Sequence, residues 1–384
     1  MSIREPTVWA MEPHTKAKHE ILSYYLKGWL PILAKFHRRL LYVDGFAGPG
    51  EYTGGEDGSP IVALKVALEP ALESRLQRPG MELVFIFIEK DPDRCQNLRE
   101  RLGDLQSPPN FQIATYCNSF AEVFDQVLTE IEEQNKSLAP SFVFIDPFGP
   151  TGFPMSLMRR LAQQPRSEVL VSFQYQSLNQ WFLQDPLKHG HLTDLYGDER
   201  WRQALYLLDP GQRETLHRES YKKALEELGW RKVHLFRMVN KHNQTQYYLF
   251  FATSHWRGSL LMKQAMWSAA PEGDFEYSDL TDPYPKLFQL PRDEEYSNQL
   301  ATRLYEAHAE QTLQKEVILQ EDVAWDEVCI ERHLTRALRI LEYERKPPQI
   351  RAVITPSGKR RKGTYPGGSR IVFAPKRSGL REGK

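Results

Sequence analysis

The sequence predicts an α/β fold: a mostly parallel sheet of seven strands, the last pair antiparallel, followed by a small carboxyl-terminal domain. Three observations predict it. Short apolar runs alternate with helix-length segments, only seven residues separate the last two of those runs, and the hydrophobic period changes again near the carboxyl terminus.

The first strand is Leu40–Val43, which breaks at Asp44 into the glycine-rich turn Gly45-Phe46-Ala47-Gly48-Pro49-Gly50. Gly48 and Gly50 suit backbone angles closed to other residues, and without Cβ atoms they let a ligand approach main-chain N–H groups. A carboxylate at the strand end repels a pyrophosphate and attracts an ammonium, such as the one at the methionine end of S-adenosylmethionine. Asp44, Phe46, Ala47, Gly48 and Gly50 are therefore candidate cofactor-binding residues. The second strand, Leu83–Ile88, is apolar throughout, as befits a strand buried on both faces. Glu89 emerges at its end, where folds that bind dinucleotides or S-adenosylmethionine place an acid on ribose hydroxyls. From Gly50 to Glu89 is 39 residues, against about 20 in the dinucleotide fingerprint. An insertion over Glu51–Pro60 accounts for the excess, with Ser59-Pro60 reading as a helix start.

Further strands follow at Phe111–Asn118, Phe142–Asp146, Val169–Phe173, Val233–Val239 and Tyr247–Thr253. Residues 240–246 are too few for a helical crossover, so the last two strands pair antiparallel. Five parallel strands closed by an antiparallel hairpin make the Rossmann-like sheet of class I methyltransferases; a nicotinamide dehydrogenase needs no such hairpin. The segments at 200–229 read as helical cover for the core. Asn118 and Ser119, ending the third strand, fit either an adenine contact or a helix N-cap. Lys18 and His19 lie on an amphipathic helix ahead of the first strand, where a helix lids a site; on a helix such a pair also reads as a solvated face.

The fourth strand runs into Asp146-Pro147-Phe148-Gly149. Ligands of open α/β sheets lie outside the carboxyl ends of the strands, so Asp146 faces whatever the cofactor reacts with. Its carboxylate can accept hydrogen bonds from an exocyclic amino group and aim the nitrogen lone pair, while Phe148 stacks on a flat base. Asp146, Pro147 and Phe148 are the candidate catalytic residues. Asp-Pro also ends many strands as a plain turn.

The loop VDGFAGPGEYTGGEDGSP, the turn FVFIDPFG, the helical KHEIL at 18–22 and EVLVSFQYQSLNQW at 168–181 together resemble the three-Cys-motif partner proteins, which are bacterial and methyltransferase-like. The resemblance runs from about Trp9 into the carboxyl-terminal domain. It implies S-adenosylmethionine as cofactor, Lys18 and His19 in a matched motif, and a partner rich in cysteine motifs that is similar to radical S-adenosylmethionine proteins. The DPFG turn also resembles that of tRNA guanine-N2 methyltransferases and departs from the DPPY of enzymes acting on adenine.

The 384 residues allow two domains: a methyltransferase-like domain over 1–276, a proline- and acid-rich linker over 277–292, a winged helix over 293–376 and a basic tail over 377–384. Net charge is zero, yet from Arg345 onward twelve Lys and Arg stand against one acid, Glu382, leaving the rest with 38 basic and 49 acidic residues. A basic end on an acidic body points to a polyanion partner or to a disordered basic tail. Helical periodicity over 300–308 and 325–341, with Ile330, Leu334, Leu338 and Leu341 on one face, followed by strands at 350–354 and 371–373, favours a winged helix. Arg332, His333, Arg336 and Arg339 would then meet a nucleic acid groove, and Lys359, Arg360, Arg361 and Lys362 its phosphates. No apolar run spans a membrane, no signal segment is evident, and Cys95, Cys117 and Cys329 show neither metal-ligand spacing nor a disulfide framework. A cytoplasmic protein with reduced thiols and no metal is expected.

These observations point to methyl transfer from S-adenosylmethionine to an amino nitrogen of a nucleic acid base, DNA or RNA. The alternatives are a non-catalytic subunit holding cofactor or nucleic acid for the cysteine-motif partner, and a dehydrogenase, which the spacing and the hairpin disfavour.

Overall fold

The computed structural model describes residues 7–270, 275–279 and 292–376. They fall into two units, 7–270 with 275–279, and 292–376. In the first, the strands are β1 (Arg39–Asp44), β2 (Glu82–Ile88), β3 (Phe111–Tyr116), β4 (Ser141–Ile145), β5 (Ser167–Phe173), β6 (Lys232–Val239), β7 (Thr245–Thr253) and β8 (Glu276–Ser278). Their order in the sheet is β3-β2-β1-β4-β5-β7-β6-β8. Strands β1 to β5 are mutually parallel, and β7 runs antiparallel to both β5 and β6. This strand order and the reversed β7 define the class I methyltransferase sheet.

Two expectations shift. Residues 276–278, assigned to the domain edge and linker, add an eighth strand parallel to β6, because an extended Glu276 can pair its carboxylate with Arg237 of β6 at 2.8 Å. Strand β3 stops at Tyr116, since the chain must turn to cap the next helix at Ser119. The remainder of the expected linker, 280–291, and the basic tail 377–384 lie outside the described residues.

The helices are α1 (Pro13–Ala34), α2 (Ser59–Ala67), α3 (Pro70–Leu76), α4 (Pro92–Gly103), α5 (Phe120–Glu133), α6 (Met155–Ala162), the single turn α7 (Tyr175–Ser177), α8 (His189–Tyr196), α9 (Pro210–Glu227) and α10 (Trp256–Ala269). Strand alternation sends Tyr42, Phe85, Phe87, Phe142 and Phe144 to one face, beneath α1, α2, α3 and α10. Val43, Ile86, Ile88, Val143 and Ile145 go to the other, beneath α5, α6, α8 and α9. Ser59 is the first residue of α2, with Gly58 as its cap. Of the helical segments read at 200–229, the first is a 3-10 helix over Arg200–Tyr206.

The reduced-thiol expectation is overturned for one pair. Cys95, in the first turn of α4, and Cys117, just past β3, form a disulfide with Cα atoms 5.6 Å apart. The β2–α4–β3 crossover brings the two together across 22 residues, a spacing that carries no sequence signature. Cys329 is buried and outside the disulfide. Among the described residues, no helix is long and apolar enough to cross a membrane.

Helix α1 is tied to the sheet by one buried carboxylate. Glu168 of β5 accepts hydrogen bonds from Tyr25 (2.6 Å), Trp29 Nε1 (2.8 Å) and Thr253 (2.5 Å). A Cβ on Gly258 would lie 2.0 Å from its Oε1, so glycine there is what lets α10 start against it.

The second unit contains α11 (Asp293–His308), β9 (Thr312–Gln314), α12 (Lys315–Ile318), α13 (Glu331–Arg339), which runs on in wider turns to Glu344, then β10 (Ile350–Ile354) and β11 (Arg370–Phe373). Its antiparallel sheet has the order β10-β11-β9. The stripe Ile330, Leu334, Leu338 and Leu341 is buried, and a long loop, 355–369, joins the last two strands.

Removing the Glu168 tie tests its weight. Glu168→Ala strands a buried indole N–H and two hydroxyls, at about 1–3 kcal/mol for each unsatisfied group. Urea denaturation should show a loss of about 3 kcal/mol or more, with Glu168→Gln recovering much of it.

Candidate cofactor crevice

Three carboxylates gather at the carboxyl ends of neighbouring strands. Asp44 is level with Phe87 of β2 and Phe144 of β4; Glu89 and Asp146 each follow two residues later, on the face that carries α1.

Asp44 is fully buried. Its Oδ1 accepts the Phe46 N–H at 3.3 Å, while Oδ2 has no hydrogen-bond partner among the described residues. Burial, reinforced by nearby Asp146, pushes its pKa up to about 7 against the pull of the Ser59 hydroxyl, the Phe46 amide and Lys18. A buried carboxylate with an unused oxygen is costly unless a cation reaches it.

Glu89 holds the glycine loop. Its Oε2 accepts the Gly48 N–H at 2.9 Å and its Oε1 the Asp91 N–H at 2.8 Å, while Ala47 N–H reaches the Ile88 carbonyl at 2.9 Å. Burial raises its pKa although both amides oppose this. Each oxygen keeps a second acceptor direction, as a ribose diol requires. Gly48 and Gly50 have φ of +62° and +85°, and a Cβ on Gly58 would come 2.8 Å from the Gly50 carbonyl carbon. The loop is thus built from conformations and contacts that other residues resist.

Asp146 follows β4, and the Lys18 ammonium of α1 is bonded to its Oδ2. Lys18 is itself buried and lies 5.2 Å from the centre of the Tyr247 ring. Asp146, Lys18 and Tyr247 line a cavity of about 270 Å³ that also takes in Phe46, Ala47, Gly48, Gly50, Pro147 and Phe148; Asp44 and Glu89 are not part of its lining. Phe148 is 64% exposed, leaving part of its ring open to a planar group. The resembling segment after β5 contributes here too: Gln174 lines the cavity, and a Cβ on Gly149 would stand 3.7 Å from Ser177 Oγ.

Other expected residues lie elsewhere. His19 does not line this cavity, its ring lying 5.9 Å from that of Tyr52, which does, because successive residues on a helix diverge by about 100°. Burial and the adjacent Lys18 hold its pKa down at about 3, against the pull of Asp146. Asn118 and Ser119 form the cap of α5: Asn118 Oδ1 accepts the Ser119 N–H at 2.8 Å and Ser119 Oγ the Glu122 N–H at 3.3 Å. The cap reading takes both, since the helix starts directly after them.

In the second unit the helix arginines are engaged internally. Arg336 pairs with Glu294 and Glu344, Arg332 with Asp293, and Arg339 Nε donates to the Gly363 carbonyl at 2.7 Å. His333 is buried, its Nδ1 accepting the Ile330 N–H at 3.0 Å and its Nε2 bonded to Asp293 at 2.6 Å. Arg360 is bonded to Glu342. Acids on α11 and beyond α13, invisible as partners in sequence, neutralise the row expected at a groove. Lys359, Arg361 and Lys362 remain exposed, with Lys362 Nζ 4.9 Å from the Tyr343 ring centre.

Sequence reasoning missed the aromatic rim. Trp9 packs edge-on against Phe148 with centroids 5.2 Å apart, and the Arg94 guanidinium lies 4.9 Å from the Trp9 ring centre and 5.1 Å from that of Phe148. Tyr52, 6.0 Å from Trp9, and Tyr247 complete it. The hint available was the short apolar run Val8-Trp9-Ala10-Met11 ahead of α1.

The donor set fits S-adenosylmethionine. The orphaned Asp44 oxygen suits its ammonium, Glu89 its ribose hydroxyls, and the glycine loop lets it come close to main chain. That cofactor supplies an electrophilic methyl group.

No family profile matches the chain, and no curated protein matches it in sequence. Among solved structures it is similar to Trm1 from Pyrococcus horikoshii with S-adenosyl-L-methionine (10% identity, TM-score 0.35), covering 66% of this chain and 58% of that one. It is also similar to human methyltransferase-like protein 13 in complex with SAH (10% identity, 73% and 98% covered, TM-score 0.32). A third is the cyclopropane synthase MmaA2 from Mycobacterium tuberculosis (11% identity, 67% and 70% covered, TM-score 0.30). The chain therefore spans less than two thirds of the Trm1 structure. The class assignment rests on the strand order of the sheet itself.

Asp44 predicts a pH signature. An acid whose pKa is raised on folding binds its proton more tightly in the native state, so stability is full below 3.8 and declines as pH rises toward about 7. Melting wild type beside Asp44→Asn from pH 5 to 8 should show wild type losing ground. The whole span is worth on the order of 4 kcal/mol.

Proposed function

We propose that this protein is an S-adenosylmethionine-dependent methyltransferase acting on an amino nitrogen of a nucleic acid base, working beside a three-Cys-motif protein. The observation that carries the reading is the Asp146 carboxylate, which holds an ammonium, that of Lys18, beside the strand end that carries the unsatisfied Asp44. A carboxylate that binds one amine can bind another.

In this reading Asp44 holds the ammonium of the cofactor and Glu89 its ribose. The base, everted from its stack, lies on Phe148. Its amino group replaces Lys18 at Asp146, whose carboxylate accepts an N–H and turns the lone pair toward the reacting methyl. Positioning of this kind contributes roughly 7–11 kcal/mol to lowering a barrier. Lys18, displaced, keeps a place over the Tyr247 ring, and Asp146 can take up the proton that the amine sheds. Trp9 and Arg94 close the mouth beside Phe148 and limit water.

We read the second unit as a winged helix from its order of helix, strand, two helices, strand, loop, strand. Its contribution to nucleic acid binding falls to the loop residues Lys359, Arg361 and Lys362, since Arg332, Arg336, Arg339 and Arg360 have internal partners. A second reading, a non-catalytic subunit that binds cofactor or nucleic acid for the cysteine-motif protein, is favoured by one observation: Lys18 occupies the acceptor that a substrate amine needs.

Radiolabelled methyl transfer to RNA and DNA from cells lacking the gene, with the partner protein added, separates the two. The enzyme reading expects label with wild type and a fall of about 100-fold or more with Asp146→Ala, cofactor binding being largely kept. Absence of label with wild type would leave the binding-subunit reading. Replacing Lys359, Arg361 and Lys362 with Ala should lower the slope of log affinity against log salt by about 0.9 for each phosphate no longer neutralised; an unchanged slope would remove the loop from the interface.

A further inference from the structure

The opposite end of the sheet, at the amino ends of the parallel strands, carries a second cavity, of about 570 Å³. It lies between the last turns of α1, the start of β5 and the start of α10. Trp29, Leu33, Phe36, Trp256 and Leu261 make its walls apolar. Its rim is basic: Arg166, Arg257, His37 and His255. A neighbouring cavity of about 580 Å³ shares Ile32, Phe36 and Arg257 with it and adds Lys35, Arg75 and Arg78.

This charge is not neutralised. Elsewhere on the protein surface arginines find carboxylates, as Arg39 finds Glu82 and Arg160 finds Asp125 and Glu132. Arg75, Arg166 and Arg257 are exposed and form no ion pair with any described residue. Among the described residues Arg78 reaches backbone carbonyls, those of Ala34 and His37. Arg257 rests on the Trp256 ring, 4.9 Å from its centre, and Lys35 lies 5.6 Å from that of Phe36. Arg166 holds a φ of +58°, which non-glycine residues seldom adopt without a compensating reason. Burial, reinforced by Arg166 at His37 and by Arg257 and Arg166 at His255, lowers the pKa of both imidazoles, so the rim's positive charge is carried by the two arginines.

The single acid in the cavity does not offset them. Glu168 lies at its floor, both oxygens taken by Thr253, Tyr25 and Trp29, and burial favours its neutral form. Uncompensated like charge around an apolar cleft of ligand size selects an anion with a flat, apolar body. Phe36, 60% exposed at the shared wall, and Trp256 offer the faces for such a body, and the guanidinium forks of Arg166 and Arg257 suit phosphate oxygens.

We propose that this cavity binds a nucleotide-type phosphate ester, its phosphates on Arg166 and Arg257 and its base against Phe36 and Trp256. The site is separate from the crevice at the other end of the strands and does not depend on methyl transfer there.

Calorimetry of the full chain with ATP tests it, with adenosine and inorganic phosphate as probes of the two halves. ATP should bind, and each half alone should bind more weakly. Arg166→Ala with Arg257→Ala, both exposed, should weaken ATP about tenfold or more through lost charge-assisted hydrogen bonds. Phe36→Ala should weaken ATP and adenosine but not phosphate. Asp44→Asn and Asp146→Ala, in the crevice, should leave ATP affinity unchanged. Unaltered ATP binding in the double arginine variant, or its loss in the crevice variants, overturns the proposal. So does a short single-stranded oligonucleotide that binds far more tightly than ATP and depends on the same arginines, which would make the cleft a strand path.

Discussion

Three carboxylates crowded at the ends of adjacent parallel strands are the constraint around which this fold is organised. Like charges in a buried crevice repel and lose their hydration, so each requires compensation. Glu89 obtains it from two backbone N–H groups, which forces the glycine loop to fold back over β2. Asp146 obtains it from Lys18, which requires a helix ahead of β1 to lie on that face of the sheet. Asp44 obtains only part of what it needs, and its raised pKa records the deficit. That unmet demand at Asp44 is what a cationic cofactor satisfies.

Helix α1 therefore works at both ends. Near its start Lys18 sets the charge balance of the crevice; near its end Tyr25 and Trp29 grip Glu168, another buried acid. Thr253 and the close approach at Gly258 join β7 and α10 to the same carboxylate. A displacement of α1 would unsatisfy both ends together, so the helix backbone that carries Lys18 is held by the core beneath it. The basic cleft above Glu168 shares this framework, its floor being the carboxylate that anchors the helix.

Much of this was legible residue by residue. The loop from Asp44 to Gly50, the acid at Glu89 and the turn at Asp146 announce themselves through strand ends, where local composition and position coincide. The reversed β7 was legible from a gap too short for a crossover. Less legible were residues whose surroundings the local pattern leaves open. Asn118 and Ser119 satisfy a helix start, His19 turns away from its neighbour Lys18, and Arg336 and Arg339 meet Glu344, Glu294 and the Gly363 carbonyl. The Cys95–Cys117 bridge and the strand at Glu276–Ser278 depend on which segments the sheet lays side by side, which spacing does not encode.

By itself the sequence determined the sheet, its closing hairpin and the acids at its strand ends, because hydrophobic period and turn chemistry act over a few residues. Only the tertiary structure decided how those charges are balanced: Lys18 on Asp146, amides on Glu89, and no described residue on Asp44 Oδ2. It also decided that the aromatic rim of Trp9, Tyr52 and Phe148 closes the crevice, and that Arg166 and Arg257 share a cleft. Electrostatic and packing partners are fixed by proximity in space, and residues brought together across tens or hundreds of positions leave no periodic trace along the chain.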